Sequence, residues 1–291
     1  MMKYILMLTL LTTFTKADIS TIIAPESKVE KLGTDMKFTE GPVWIPEKKM
    51  IVFSDIPNSK LMQWTKENGL LEFRNVEQSN GNILDKEGRL LTCQHAGRNI
   101  TRTEKDGKIT VIIDEFEGKK LNSPNDLAQH SDGSIWFTDP SYGLRGKPGE
   151  IGGKWVFRHD LKTKKTSVIY KDFDMPNGVA FSPDFKTVYI ADTGKIGIMR
   201  AFAVKGDTID YKPLFEIPIR CDGLSIDTQG NIYTTSAGGI HVFNKAGKKI
   251  GLIPVPEQPA NVCFGGENFD TLFITARKSL YSVRVKMTGM K

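Results

Sequence analysis

An all-β fold, a six-bladed β-propeller of four-stranded blades, is predicted by three observations. A short phrase recurs six times along the 291 residues, a second strand-like phrase follows each copy, and no stretch carries a convincing amphipathic helix pattern. The first phrase reads Glu40-Gly41-Pro42-Val43, Asn80-Gly81-Asn82-Ile83, Asn125-Asp126-Leu127-Ala128, Asn177-Gly178-Val179-Ala180, Asp222-Gly223-Leu224-Ser225 and Ala260-Asn261-Val262-Cys263. Its leading positions lie 38 to 52 residues apart, the size of a propeller blade and not of a single strand.

Each first phrase opens an apolar strand. The second phrase reads Ile51 to Asp55, Leu90 to His95, Ile135 to Asp139, Val188 to Asp192, Ile232 to Ser236 and Leu272 to Ala276, β-branched and aromatic as strands prefer. Between the two lie turn residues such as Asp85-Lys86-Glu87-Gly88 and Ser131-Asp132-Gly133. A third strand follows, as in Trp155 to Arg158 and Ile240 to Phe243. A fourth comes after a further turn, as in Ile109 to Ile113, Thr166 to Tyr170 and Lys249 to Ile253. The last unit stops after Tyr281 to Val285, so Ser27 to Leu32 is expected to supply its missing strand and close the ring.

The first 17 residues stand apart. Lys3, an apolar run from Tyr4 through Leu11, and Thr15-Lys16-Ala17 match a cleavable signal peptide, which predicts export to the periplasm or the medium. The run is too short for a spanning helix, so stable membrane insertion is not expected. Residues 18–291 are then the propeller domain. The formal charge of +6 is mild, and its lysines are scattered among acids without interleaved aromatics, which argues against nucleic-acid binding. Nothing in the sequence speaks to oligomeric state. Cys93, Cys221 and Cys263 sit in apolar strand patterns without a Cys-x-x-Cys and read as buried thiols, with Cys221 as a less favoured nucleophile.

In a propeller the first strand of each blade lines the axis, so the leading residues converge. Strand two runs back, so Asp55, His95, Asp139, Asp192 and Ser236 border the same mouth. Glu40 and Asp222 bring two carboxylates, Asn125 and Asn177 bring amide oxygens, and Asn80 is placed to help. Hard oxygens without converging thiols or imidazoles favour Ca2+, with Mg2+ or Mn2+ as alternatives; Zn2+ is the weakest candidate. Asp222 is the first choice of general base, being a carboxylate beside the ion, and Asp139 and Asp192 are rivals. For His95, substrate contact and structural packing are equally open. Residues 143–153 form either a lid over the cup or a long hairpin.

Together these motifs resemble the gluconolactonase branch of the senescence marker protein / gluconolactonase / luciferin-regenerating enzyme family. The matching stretches include Thr39-Glu40-Gly41-Pro42-Val43-Trp44, Phe53-Ser54-Asp55-Ile56-Pro57-Asn58, Leu121-Asn122-Ser123-Pro124-Asn125-Asp126-Leu127, Phe137-Thr138-Asp139-Pro140, Pro176-Asn177-Gly178-Val179-Ala180 and Cys221-Asp222-Gly223. The resemblance implies a six-bladed propeller that hydrolyses small-molecule lactones with one divalent ion, usually calcium. It implies Glu40, Asn177 and Asp222 as metal ligands, with Asp222 also moving the proton. Asn125 becomes a ligand or a substrate contact, and His95, Asn80 and Asp139 become candidate substrate contacts. One departure is Cys93-Gln94-His95, where the family usually reads Cys-Glu-His. The expected activity is hydrolysis of a sugar lactone such as glucono-1,5-lactone to its aldonic acid. The alternatives are a phosphotriesterase or other esterase using the same cup, and a ligand-binding propeller whose ion is structural.

Overall fold

A computed structural model describes residues 19–290; the proposed leader, Met1 to Ala17, lies outside the described residues. Six antiparallel blades follow one another along the chain, five of them four-stranded sheets and the fourth with one extra short strand. Blade 1 comprises Thr39–Ile45, Met50–Asp55, Lys60–Thr65 and Gly69–Asn75; blade 2 comprises Ser79–Leu84, Leu90–Gln94, Asn99–Thr103 and Ile109–Ile113. Blade 3 is built from Leu127–Gln129, Ile135–Asp139, Trp155–Asp160 and Lys165–Tyr170, and blade 5 from Leu224–Ile226, Ile232–Ser236, Gly239–Phe243 and Lys249–Pro254. Blade 4 has Pro176–Phe181, Thr187–Asp192 and Ile198–Lys205, whose last strand pairs with both Thr208–Ile209 and Phe215–Ile217. Blade 6 has Pro259–Gly265, Thr271–Ala276 and Ser279–Arg284, and Glu30–Gly33 pairs antiparallel with the last of these. The predicted ring closure is therefore present, a few residues shorter than Ser27 to Leu32. No helix among the described residues is long and apolar enough to cross a membrane.

The second strands explain why the sequence reads as continuous apolar runs. In blade 1, Ile51 and Phe53 pack toward blade 6 with Trp44 and Phe273, whereas Met50 and Val52 pack toward blade 2 with Leu90. Alternate side chains thus serve opposite neighbours, and both faces of each inner strand are buried. The same arrangement gives one apolar cluster at each blade boundary, for example Leu91, Ile100, Leu127 and Phe137 between blades 2 and 3, and Tyr189, Met199, Leu224 and Ile232 between blades 4 and 5. Stability comes from six seams and not from one central core. The axis is left open for polar groups.

The first phrases are less regular than simple strand openings. The ladder register shifts between Glu40 and Val43, between Ser79 and Asn82, between Pro176 and Val179, and between Pro259 and Asn261. In blades 3 and 5 the first strand begins only at Leu127 and Leu224, two residues after Asn125 and Asp222. A bulge or a late strand start frees the leading residue from the pleat and re-aims its side chain.

Candidate functional site

Hydrogen bonds around the axis set the leading residues at one level. Ser54 Oγ donates to the Asn80 carbonyl (2.7 Å), and Gly81 N–H donates to the Asn125 carbonyl (2.8 Å). Thr138 Oγ1 donates to the Asn177 carbonyl (2.7 Å), and Gly178 N–H to the Asp222 carbonyl (3.0 Å). Thr235 Oγ1 and Gly223 N–H both reach the Ala260 carbonyl (2.8 Å each), and Thr39 Oγ1 reaches back to the Ser279 carbonyl (3.2 Å). All six blade boundaries are bridged in this way. In five of them the acceptor is the carbonyl of the next blade's leading residue. With those carbonyls held on neighbouring blades, the leading residues occupy equivalent places around one axis.

The side chains meet accordingly. Glu40 is 3% exposed and accepts from Gly41 N–H at 2.9 Å. Burial raises its carboxyl well above the usual range, the charge of Asp222 raises it further, and Asp126 adds to the effect. Asp222 is pushed up to about 7 by burial, offset in part by the Asn177 amide, which hydrogen-bonds to it. As a whole residue Asp222 is half-buried. Of the predicted ion ligands, Glu40, Asn177 and Asp222 are thus linked directly, and Asn125 joins them through the ring of carbonyl contacts.

Asp126 is a site residue that sequence reasoning passed over. Blades 1, 2, 4 and 5 carry glycine after the leading residue, whereas blades 3 and 6, which face each other across the ring, carry Asp126 and Asn261. The neighbouring glycines make room for them: a Cβ on Gly81 would lie 2.6 Å from Asp126 Oδ1, and one on Gly223 would lie 2.1 Å from Asn261 Oδ1. Burial pushes Asp126 up to about 7, and the Asp222 charge adds to that, while Leu127 N–H, Val179 N–H and the Asn261 amide oppose it. The Asn261 amide also hydrogen-bonds to Glu40, so it bridges two of three acids. The signal was legible as the two copies in which glycine is missing.

The donor set fits a hard cation. Three carboxylates, Glu40, Asp126 and Asp222, feel one another's charge, and none of the ion pairs among the described residues includes any of them. Buried carboxylates that lack a cationic partner are costly, and a divalent ion held by oxygens relieves that cost. Among the described residues no group of three or more His, Cys, Asp and Glu is arranged as a metal site. The predicted ligand set has only two members of those types, its remainder being asparagine amides.

The second ring behaves differently. Asp139 is fully buried and accepts from Asn122 N–H and Ser123 N–H, both at 2.7 Å. Asp55 accepts from Lys37 N–H and Phe38 N–H, and Asp192 from Asp174 N–H and Met175 N–H. Each aspartate grips the backbone two or three residues ahead of a leading residue: Glu40, Asn125 or Asn177. The carboxylate of Asp139 is thereby taken up by its own blade and does not face the cup, so the expected substrate contact is replaced by a positioning role. Gln94, at the departure from the family motif, likewise turns into the blade and donates to Thr101 Oγ1 at 3.0 Å.

His95 and Asn80 do lie beside each other at the mouth, with Asn80 Nδ2 3.1 Å from His95 Nε2. Burial lowers His95 to about 4, so the ring is neutral at pH 7. Cys221 and Cys93 are buried with raised thiol pKa values, Cys221 to about 12, which removes the nucleophile reading. A separate cavity of about 800 Å³ is lined by the apolar continuations of the first strands, including Val43, Val179, Leu224 and Phe264. Its lining includes Gly41, Asn82, Asp126 and Asn261 but neither His95 nor Asp222.

Residues 38–278 match the SMP-30/Gluconolactonase/LRE-like region. The chain belongs to this family. A gluconolactonase of Zymomonas mobilis is 29% identical over 92% of this chain and 84% of that protein. Pentonolactonase XacC of Haloferax volcanii is 26% identical over 84% of this chain and 83% of its own length. A solved gluconolactonase structure from Xanthomonas campestris is 30% identical, covers 93% of each chain and superposes with a TM-score of 0.86. This SMP-30/gluconolactonase-like chain thus shares both fold and sequence with lactone hydrolases over most of its length.

Proposed function

We propose that the protein is an ester hydrolase of the lactonase kind, acting on a sugar lactone such as glucono-1,5-lactone with a divalent ion, calcium first. The relatives named gluconolactonase and pentonolactonase support the substrate class. The observation that carries the ion is the pair of carboxylates Glu40 and Asp222, both raised in pKa by burial and Glu40 further by the Asp222 charge, beside the Asn177 amide and with no cationic side chain among the described residues paired to either.

Glu40, Asn125, Asn177 and Asp222 would hold the ion, which when bound supplies polarisation of the lactone carbonyl. The chain's own part is proton transfer and positioning. Asp222, enclosed yet reachable from the cup, accepts a proton from water as the water oxygen attacks the carbonyl carbon. It returns that proton to the ring oxygen as the acyl C–O bond breaks, and the aldonic acid leaves. The Asn177 amide orients the Asp222 carboxyl, and the neutral His95 with Asn80 supplies polar contacts at the rim. Export by a signal peptide remains part of the proposal, since a lactone formed outside the cytoplasm would meet the enzyme there.

The test is turnover by purified protein after chelation and resupply of Ca2+, Mg2+, Mn2+ or Zn2+ in turn. Glucono-1,5-lactone and the phosphotriester paraoxon are assayed side by side. Lactone hydrolysis lost on chelation and restored best by Ca2+ is expected. Turnover indifferent to chelation would remove the ion, preference for paraoxon would move the substrate class, and no turnover with any metal would favour a binding propeller.

A further inference from the structure

Between the second and third strands of blade 3 the chain leaves the sheet for Pro140 to Lys154, and a short 3-10 turn, Tyr142–Leu144, brings one aromatic side chain back over the cup. The insertion is pinned at several points. Gly143 N–H donates to Ser123 Oγ at 3.0 Å, Arg98 pairs with Glu150 at 2.9 Å, and Lys154 pairs with Asp174 at 3.0 Å. A Cβ on Gly143 would lie 2.8 Å from the Cβ of both His95 and Ser123, so the turn sits tight against the rim. These contacts describe a fixed wall and not a hinged lid.

Tyr142 is 40% exposed, yet its hydroxyl is hydrogen-bonded to Thr193 Oγ1 and lies within reach of the Asn177 amide. Its ring stacks on His95 with centroids 6.4 Å apart and planes 25° apart. One side chain therefore spans the mouth from blade 2 to blade 4, immediately above the residues assigned to the ion and the base. Asn177 Nδ2 also reaches Thr193 Oγ1 at 3.4 Å, which holds the phenol's partner in place. A phenol oxygen carries one proton and two lone pairs, so beside its contacts to Thr193 Oγ1 and the Asn177 amide it has one acceptor position left for a ligand hydroxyl.

The geometry points to Tyr142 as a specificity-determining residue: its hydroxyl reads a hydroxyl of a polyhydroxylated lactone ring, with Thr193 fixing its direction. This deepens the lactonase reading and rests on it for the reaction, though not for the binding. A site that hydrogen-bonds a substrate hydroxyl discriminates against rings lacking one, because the polar group is otherwise left unpaired. Tyr142 then separates sugar lactones from bare cyclic esters and leaves the chemical step to Asp222.

The experiment compares wild type, Tyr142→Phe and Thr193→Val on glucono-1,5-lactone and on δ-valerolactone, which has the same ring without hydroxyls. It adds calorimetric binding of the two corresponding lactams, which are not hydrolysed. Tyr142→Phe should raise KM for the sugar lactone about tenfold, with kcat within about threefold and δ-valerolactone kinetics unchanged. Affinity for the hydroxylated lactam should fall in parallel, and Thr193→Val should show a smaller effect of the same sign. Equal losses on both lactones, a fall in kcat at constant KM, or unchanged binding of the hydroxylated lactam would each overturn the inference. Wild type that binds neither lactam would overturn it too. Tyr142-dependent lactam binding without turnover on any metal would instead sink the proposed function and leave this residue's role standing.

Discussion

The inner ring of Glu40, Asn125, Asn177 and Asp222 and the outer ring of Asp55, Asp139 and Asp192 both place carboxylates at the same end of the blades. Their hydrogen bonds set them apart. The outer carboxylates each accept two backbone N–H groups and are closed off by their own blades. The inner carboxylates draw instead on side-chain amides, Glu40 on Asn261 besides its own neighbour Gly41 N–H and Asp222 on Asn177, and the Asp222 charge raises Glu40 further. Asp139 and Asp222 both have pKa values raised to about 7, chiefly by burial, so proton affinity alone does not tell a positioning acid from a reacting one. The pattern of donors does.

The largest effect that can break this comparison belongs to Asp222. Asp222→Asn should lower kcat by at least about a thousandfold, with the melting temperature of the metal-free protein unchanged or higher because a repelling charge is gone. Retained turnover would remove Asp222 as the base. Asp139→Asn should do the reverse. Placing an amide N–H against Asn122 N–H or Ser123 N–H costs about 1–3 kcal/mol, read as a lowered melting temperature, with kcat within about tenfold at a temperature where the variant is folded. Loss of all turnover at unchanged stability would put Asp139 in the chemistry and merge the two rings.

The smallest effect sharpens the rule from the opposite direction. Glu257 accepts from Ser279 Oγ (2.6 Å), Tyr281 OH (2.8 Å) and Lys278 N–H (3.1 Å), and pairs with Lys31 at 3.2 Å. Burial works against its charge, but these donors outweigh it and hold the carboxyl down at about 2. Its folded pKa lies below its unfolded value, so its stabilisation is present above that unfolded value and is lost as pH falls toward about 2. Glu257→Gln should destabilise by about 1 kcal/mol at pH 7. Melting curves of the two proteins should draw together as pH falls below about 4 and meet near about pH 2. A gap that is undiminished at about pH 2 would show that shape and not charge is what Glu257 contributes.

Most of the architecture was legible because a propeller writes its blade length into the sequence. The phrase containing Glu40, Asn80, Asn125, Asn177 and Asp222 and the apolar second strands fixed blade number, strand count and the closing strand to within a few residues. The site was legible only as a set of leading positions. Whether Asp139 faces the cup depends on where Asn122 and Ser123 point their N–H groups, which no spacing reveals. Asp126 was hidden by reading its phrase as a variant of Asn-Gly, although the absent glycine was itself the clue. Tyr142 comes from an insertion without a counterpart in the other blades, so no repeat could announce it.

The pairing of Glu30–Gly33 with Ser279–Arg284 joins the two ends of the described chain. During synthesis the early strand must wait for its mate until almost the whole polypeptide has emerged. Glu40 and Asp222 stand on either side of the blade that this pairing completes, so a ribosome-bound chain carries the pieces of the pocket without the pocket. On the proposed function, ion capture would thereby be postponed to release, and cation uptake would report finished assembly.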